Sequence, residues 1–389
     1  MRILHVIGTL NPADGGPPEI VRQIARASRK IGVEVEVATL DIPGAPYLRG
    51  ASFPLHALGP ARLGGFGYSP RLRHWLRQNV SRFDGVVMHG IWSWPGLAVR
   101  AATLRAGKPY GVFPHGALDP WFNQKYPLKH LKKKLFWPWQ YKVLRDAGYV
   151  FFASDSEPGL AAASFRPNQW NSLVVAYDAS EPEGDPQAQI EAWRRQCPQL
   201  AGRRYLVFFG RIHPKKGCDL LVRAFAAIAN SAPDLDLVVA GPDQVGWLAE
   251  LKQIAADLGV ASRVHWPGMV VGDAKWGALR AADAFVLPSH QENFGLAVAE
   301  SLAAGRPVLI SNQVNIWQEI ESEKVGLVED DTQEGTERLL RRWLNLPLPE
   351  RAAMEARCLP CFLTRYATQR TARGLRDAFQ KNQLSKSLK

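Results

Sequence analysis

The stretch Phe208-Phe209-Gly210-Arg211-Ile212-His213-Pro214-Lys215-Lys216-Gly217 joins an apolar run to a helix that begins near Cys218 or Asp219. Gly210 permits close approach of a ligand to the backbone. Arg211 and Lys216 place a planar guanidinium fork and a compact ammonium on one short loop, which suits a diphosphate. The loop lacks the GxxxxGK(S/T) order of a nucleotide-hydrolysing loop, and it lacks GxGxxG. Taken alone, it reads equally as a solvated basic loop.

A second loop, Pro288-Ser289-His290-Gln291-Glu292-Asn293-Phe294-Gly295, also follows an apolar run and opens a helix over Leu296–Ala304 that Gly305 and Pro307 stop. The backbone N–H groups of Asn293 to Leu296 are expected to be orphan donors there, an anion cradle. Glu292 lies in the loop and Glu300 one to two turns into the helix. A carboxylate accepts two hydrogen bonds from vicinal hydroxyls, so the pair suits a sugar and a ribose. Alternatively Glu292 caps the helix dipole and Glu300 faces solvent.

These loops need strands to carry them. Apolar runs of three to eight residues recur at Arg2–Ile7, Val33–Leu40, Gly85–Met88, Tyr110–Phe113, Tyr149–Ala153 and Leu173–Ala176, then at Tyr205–Phe209, Leu235–Ala240, Val264–Trp266, Ala284–Leu287, Val308–Ile310 and Val325–Val328. Their Val, Ile and Phe content is that of buried parallel strands. Helical stretches lie between several of them, including Pro18–Lys30, Asp219–Ala229 and Val245–Leu258. The alternation predicts α/β architecture with two doubly wound domains, 1–180 and 181–365, joined at the polar, Pro-rich stretch 178–186. A helix over Tyr366–Phe379 and a frayed basic tail complete residues 366–389. The helix is expected to pack back on the N-terminal domain.

The chain has 389 residues, 46% hydrophobic and 22% charged, which excludes wholesale disorder. No run approaches the roughly 20 apolar residues of a membrane span. The opening MRILHVIG reads as a first strand and not as a signal peptide. Four cysteines are too few for a disulfide framework, Cys358-x-x-Cys361 lacks the further ligands zinc requires and reads as two buried small residues, and the chain fits a reducing cytoplasm. Net charge is +12. Residues 1–180 hold 22 Lys and Arg against 11 Asp and Glu, whereas residues 181–389 hold 26 against 25. The first half is therefore the one expected to face an anionic partner.

The two loops together, GRIHPKKG before a helix and the E-x₇-E of Glu292 and Glu300, resemble retaining glycosyltransferase family 4 of GT-B fold. The resemblance extends to Asp14-Gly15-Gly16-Pro17, Gly67-Tyr68-Ser69-Pro70 before a helix with Trp75, His89-Gly90-Ile91-Trp92, and Pro114-His115-Gly116-Ala117-Leu118-Asp119-Pro120-Trp121. That last string, with the lysines after it, resembles bacterial exopolysaccharide and lipopolysaccharide members. The resemblance implies two Rossmann-type domains facing a cleft, a UDP- or GDP-linked sugar as donor substrate, no separate cofactor, and no metal, because the Arg/Lys pair and helix N-termini would neutralise the leaving nucleotide. It implies that Arg211, Lys216 and Gly16 meet the diphosphate, Glu300 the ribose, and Glu292 the donor sugar. Asn293, Phe294 and Gly295 would lie near sugar and phosphate, Gly268, Met269 and Val270 near the base, and His115 beside the reacting sugar. The acceptor would be a glycan, lipid-linked or free. An epimerase or phosphorylase on the same fold, or a non-enzymatic basic anion- or nucleic-acid-binding protein, remain alternatives at this point. Val175-Ala176-Tyr177-Asp178 departs from the Pro-Asn-Gly turn of many relatives. His89 reads as structural, and Asp155 and Glu157 as either acceptor contacts or surface caps.

Between Pro120 and Arg145 stand seven cations and no acids, with seven aromatic residues interleaved. Lys129, Lys132, Lys133 and Lys134 with Trp137 and Trp139 suit an anionic membrane surface, which would make the protein peripheral on the cytoplasmic face. No nucleic-acid module is recognisable, and no nucleic acid is expected as a partner. An ordinary surface helix with inward-packed aromatics is the alternative.

Overall fold

The computed structural model describes residues 1–389 except Asp178, Ser180, Thr368, Leu388 and Lys389, with backbone alone over 382–387. The expected joint at 178–186 therefore lies partly outside the described residues. The chain forms two compact units, Met1–Asp178 with Thr368–Lys389, and Ala179–Ala367.

In the first unit the strands are β1 (Arg2–Ile7), β2 (Glu34–Thr39), β3 (Leu55–Ala57), β4 (Gly85–His89), β5 (Tyr110–Phe113), β6 (Tyr149–Phe152) and β7 (Ser172–Val174). They lie in the order β3-β2-β1-β4-β5-β6-β7, and every pairing is parallel. Parallel neighbours need crossovers, and helices supply most of them: α1 (Gly16–Lys30), α2 (Pro70–Asn79), α3 (Trp94–Ala106), α4 (Trp121–Lys125), α5 (Pro127–Arg145) and α6 (Glu157–Ser164). Strand β3 is an addition to the expected set. It is an edge strand with only one hydrogen-bonded neighbour, and its Leu-His-Ala sequence carries no apolar run.

The second unit holds β8 (Arg204–Phe209), β9 (Leu235–Ala240), β10 (Val264–Gly268), β11 (Ala284–Leu287), β12 (Val308–Ser311) and β13 (Gly326–Glu329), ordered β10-β9-β8-β11-β12-β13 and parallel throughout. Its helices are α7 (Pro186–Gln196), α8 (Cys218–Ala229), α9 (Leu248–Asp257), α10 (Gly272–Ala281), α11 (Leu296–Ala303), α12 (Trp317–Ser322), α13 (Gln333–Asn345) and α14 (Leu348–Arg365). Both sheets reverse strand order once, between β1 and β4 and between β8 and β11. In open α/β sheets ligands bind outside the carboxyl ends of strands at such a reversal. The loops after β8 and β11 are the two basic and acidic loops of the sequence.

The last helix, α15 (Arg370–Ser387), belongs to the first unit. Phe379 is buried against Gly85 and Phe151, and Thr371 Oγ1 donates to Ala176 O at 2.6 Å. It starts later than the periodicity suggested, because α14 runs to Arg365 and Tyr366 caps its C-terminal end. Among the described residues no helix is long and apolar enough to cross a membrane.

Candidate active site

In the second unit, the loop after β8 folds onto the loop after β11. His290 N and Ser289 Oγ both donate to Lys215 O, at 2.8 and 3.0 Å. Gly217 makes the approach possible. Its φ is +64°, and a Cβ there would lie 2.2 Å from Pro288 O. Gly241 does the same from β9, since its φ is +147° and a Cβ would meet Gly210 O at 1.7 Å. Both positions demand a residue without a side chain.

This contact brings Lys216 and Glu292 together. The ammonium donates to Glu292 Oε2, and both side chains are largely buried. Burial first, then the Lys215 and Arg211 charges, push the Lys216 pKa well below the ordinary lysine value. The other oxygen, Glu292 Oε1, accepts the Asn293 N–H at 3.1 Å. The expectation of orphan donors from Asn293 onward is thus corrected at its first member: the neighbouring carboxylate takes that N–H. Arg211 Nη1 donates to Gln244 Oε1 at 2.7 Å on the rim of the same loop. Phe294 is buried against Tyr366, and Gly295 caps α11 at φ +76°.

Glu300 does not face solvent. It is 4% exposed on α11, and Lys275 Nζ of α10 donates to its Oε1 at 2.6 Å. Gly268 ends β10 at φ +72°, and its carbonyl accepts from Gly241 N at 2.8 Å. After it Met269 is half exposed and Val270 buried. Gly268 to Val270 thus lie on the β9 side of the reversal, and Glu300 on the β11 side. Sequence reasoning missed Lys275 and Gln244. Neither stands in a recognisable motif; only the strand order brings them to this edge.

In the first unit a buried hydrogen-bonded chain runs across β1, β4 and β5. His5 Nδ1 meets His89 Nε2 at 2.8 Å, His89 Nδ1 meets His115 Nε2 at 3.0 Å, and His115 Nδ1 meets Tyr177 Oη at 2.6 Å. His5 stacks on His89, and His89 and His115 stack on each other and on Phe113. Among the described residues His5 Nε2 has no partner. If Tyr177 donated into the chain, each ring would pass its proton on and leave an N–H stranded at His5. The opposite order strands only a lone pair, which is the lesser cost. On that assignment His115 donates from Nδ1 to Tyr177 and accepts at Nε2. Burial holds His5 and His115 down to about 3 and His89 well below its usual range, so all three are neutral. Both nitrogens of His115 are engaged. The residue itself is held at φ +52°, where a non-glycine residue is rare.

Glu157 supports the same turn. Its two oxygens accept Gly116 N at 3.0 Å and Ala153 N at 2.7 Å, so this buried carboxylate ties the loop after β5 to the end of β6. Asp155 is exposed, whereas Glu157 is no surface cap. Gly16 opens α1, and a Cβ there would meet nothing within 4 Å.

The basic-aromatic patch needs two corrections. Trp137 is 3% exposed, donates from Nε1 to Pro167 O at 3.1 Å and stacks on Phe165, so it belongs to the core. Lys133 lies over the Trp92 and Phe122 rings, and burial lowers its pKa. Lys129, Lys132 and Lys134 do stand on the surface, with Trp139 at 55% exposure. Leu128, Leu131 and Leu135, at the spacing of one helix face, are exposed beside them. Among the described residues no cluster of three His, Cys, Asp or Glu could hold a metal ion, and Cys358 and Cys361 are buried free thiols.

Residues 189–357 match the family described as glycosyl transferases group 1, and residues 15–178 match the glycosyl transferase 4-like domain. A D-inositol 3-phosphate glycosyltransferase of Paenarthrobacter aurescens is 31% identical over 344 residues, 81% of each chain. Enzymes of that name from Salinispora tropica and Actinosynnema mirum are 33% and 43% identical, over 51% and 43% of this chain and 42% of each relative. The chain thus aligns with less than half the length of those two. Among solved structures, the Anabaena protein HepE in complex with UDP and glucose superposes with TM-score 0.79 at 17% identity, covering 98% of this chain and all of that one. WaaG, a glycosyltransferase involved in lipopolysaccharide biosynthesis, superposes with TM-score 0.68 at 18% identity, over 97% and 98%. At such identities the likeness speaks for the fold, two Rossmann-like units of GT-B type. With matches to both halves and a relative aligned over four-fifths of its length, the chain belongs to the group 1 glycosyl transferases.

Proposed function

We propose that this protein moves a hexosyl unit from a UDP- or GDP-linked sugar to a hydroxyl of a glycan acceptor, with retention at the anomeric carbon and without a metal. The observation that carries the proposal is the placement of two cations, Arg211 and Lys216, on the loop after β8 and two acids, Glu292 and Glu300, on the loop and helix after β11, flanking the strand-order reversal of the second sheet, with Lys216 paired to Glu292 and Lys275 to Glu300. Cations at that edge neutralise the diphosphate of the leaving nucleotide, where charge develops. Glu300 accepts from the ribose hydroxyls through the oxygen that Lys275 does not hold, and Glu292 from the donor sugar. Gly16 leaves room for the diphosphate, His115 sits by the reacting sugar, and Gly268 to Val270 line the base. The resemblance supports these last roles, and the first unit takes the acceptor.

A panel of sugar nucleotides in a thermal-shift assay with chelator present tests the donor. One nucleotide sugar should raise the melting temperature, and its transfer product should keep the donor's anomeric configuration by NMR. Stabilisation by none of them, or only when a divalent ion is added, overturns the reading. The acceptor panel should include lipid-linked glycans of surface polysaccharides and, given the names of the relatives, an inositol phosphate.

The surface of α5 supports a peripheral site of action. Leu128, Leu131, Leu135 and Trp139 form an exposed apolar stripe, and Lys129, Lys132 and Lys134 are exposed on the same helix. That combination fits an anionic bilayer, to which each cation contributes about 1 kcal/mol until salt screens it. Co-sedimentation with anionic but not zwitterionic vesicles, released by salt, is the expected result. A protein that ignores anionic vesicles at low salt has only a surface helix here.

A further inference from the structure

Helices α2 and α3 pack side by side, and α3 also packs against α5. Between α2 and α3 opens a cavity of about 260 Å³. Its floor is apolar, made by Trp94, Leu97 and the alanines of α3, among them Ala101. Three exposed arginines also line it, Arg73 and Arg77 one turn apart on α2, and Arg105 on α3.

The arginines stand out for what surrounds them. Neither helix contains an Asp or a Glu. Two other arginines of these helices are occupied: Arg71 donates to Gly59 O at 2.7 Å, and Arg100 pairs with Asp146. Among the described residues Arg73, Arg77 and Arg105 have neither a hydrogen bond nor an ion pair from their side chains. Three like charges around one apolar hollow repel one another, and an anion seated among them relieves that repulsion. A guanidinium fork matches a phosphate oxygen pair better than an ammonium would.

The size limits the occupant. Pockets for drug-sized ligands begin near 300 Å³, so this one takes a head group and part of one chain. The apolar floor excludes a simple hydrated anion as the best fit. We infer that the α2–α3 groove binds an anionic amphiphile, a phosphate monoester on a single long alkyl chain, with the phosphate between Arg73, Arg77 and Arg105 and the chain along Leu97, Ala101 and Trp94. The inference goes beyond the transferase reading and does not depend on it. It also accounts for part of the basic excess of the first half that the donor loops cannot, since those lie in the other unit.

Decyl phosphate, titrated calorimetrically below its micelle concentration, is the probe. It should bind the full-length protein. The Arg73→Gln/Arg77→Gln double variant and Arg105→Gln should each weaken it by about tenfold or more, the loss of a charge-assisted contact. Ala101→Trp fills the groove from an exposed position, keeps every charge and should abolish binding. Replacing Lys129, Lys132 and Lys134 by Ser should leave the affinity unchanged, which separates this groove from the α5 stripe. Inorganic phosphate at the same concentration should not displace the probe. Undiminished binding to Ala101→Trp or to the arginine variants, loss in the α5 variant alone, or displacement by inorganic phosphate overturns the inference. Melting curves of the variants keep folding defects apart from binding defects.

Discussion

Lys275 Nζ lies 2.6 Å from Glu300 Oε1 and joins α10 to α11 beneath the carboxyl edge of the second sheet. The carboxylate is only 4% exposed, and a buried charge needs a partner; Lys275 pairs with one oxygen and leaves the other for a ligand. Glu300→Gln should therefore weaken UDP by about tenfold and leave 2′,3′-dideoxy-UDP unaffected, because only UDP offers the hydroxyls. Lys275→Met should show the same selectivity more weakly. Calorimetry with both nucleotides checks this. Equal losses on both ligands would mean that Glu300 does not read the ribose.

Lys216 and Glu292 present a different case, because each was expected to meet a different part of the donor. In the structure they meet each other. Removing either partner leaves a buried charge alone. Lys216→Met and Glu292→Gln should each destabilise the second unit, by about 3 kcal/mol for the lysine. The double variant should regain much of that loss and still fail to turn over the donor. Denaturant melts and turnover rates on the same samples are the measurement. A double variant whose stability loss is the sum of the singles argues against the pair.

The chain His5–His89–His115 predicts acid sensitivity. All three are held neutral when folded, with His5 and His115 at about 3 and His89 well below its usual value. The unfolded state binds protons from about pH 6.5 downward, and the folded state does not. Stability is thus complete above pH 6.5 and falls as the pH drops toward 3. Three such groups give at most about 4 kcal/mol per pH unit. Denaturation midpoints between pH 7.5 and 5 should fall steeply below 6.5. A His89→Gln variant, even if weaker at pH 7.5, should show a shallower slope. An unchanged slope in that variant would remove the chain as the cause.

The strand-helix rhythm was legible because buried parallel strands are dense in Val, Ile and Phe. Strand β3 was not, because an edge strand of three residues with a central His has no such signature. The loops after β8 and β11 were legible as chemistry, since cations and acids cluster there in the chain. Their partners were not. Lys275 lies 25 residues before Glu300, and Lys216 lies 76 residues before Glu292, so only the sheet order brings them together. Trp137 and Lys133 show the opposite failure. Their types suit a surface patch, but α5 turns them toward Phe165, Trp92 and Phe122 and leaves Leu128, Leu131 and Leu135 outside. A mixed basic and aromatic helix has too weak a periodicity to tell the two faces apart.

The final prediction separates neighbouring cations on one loop. At the loop rim Arg211 Nη1 donates to the neutral side-chain amide of Gln244, at 2.7 Å. A neutral amide is readily exchanged for a phosphate, which is the stronger acceptor for a guanidinium. Arg211→Ala should leave the melting temperature nearly unchanged and lower transfer on the order of 10²–10³-fold, the cost of one well-placed donor to developing charge. Lys215 contributes its carbonyl to the contact with His290 and Ser289, and a backbone group survives substitution of the side chain. Lys215→Ala should accordingly cost far less than Arg211→Ala. Gly217→Ala attacks the same loop by geometry alone, since it keeps all charges but pushes a methyl group into Pro288 O at a φ of +64°. It should lose donor binding and melt earlier. Steady-state rates and melting curves for the three variants form one experiment. A Lys215→Ala variant worse than Arg211→Ala would show that the diphosphate sits one register away from Arg211 and Lys216.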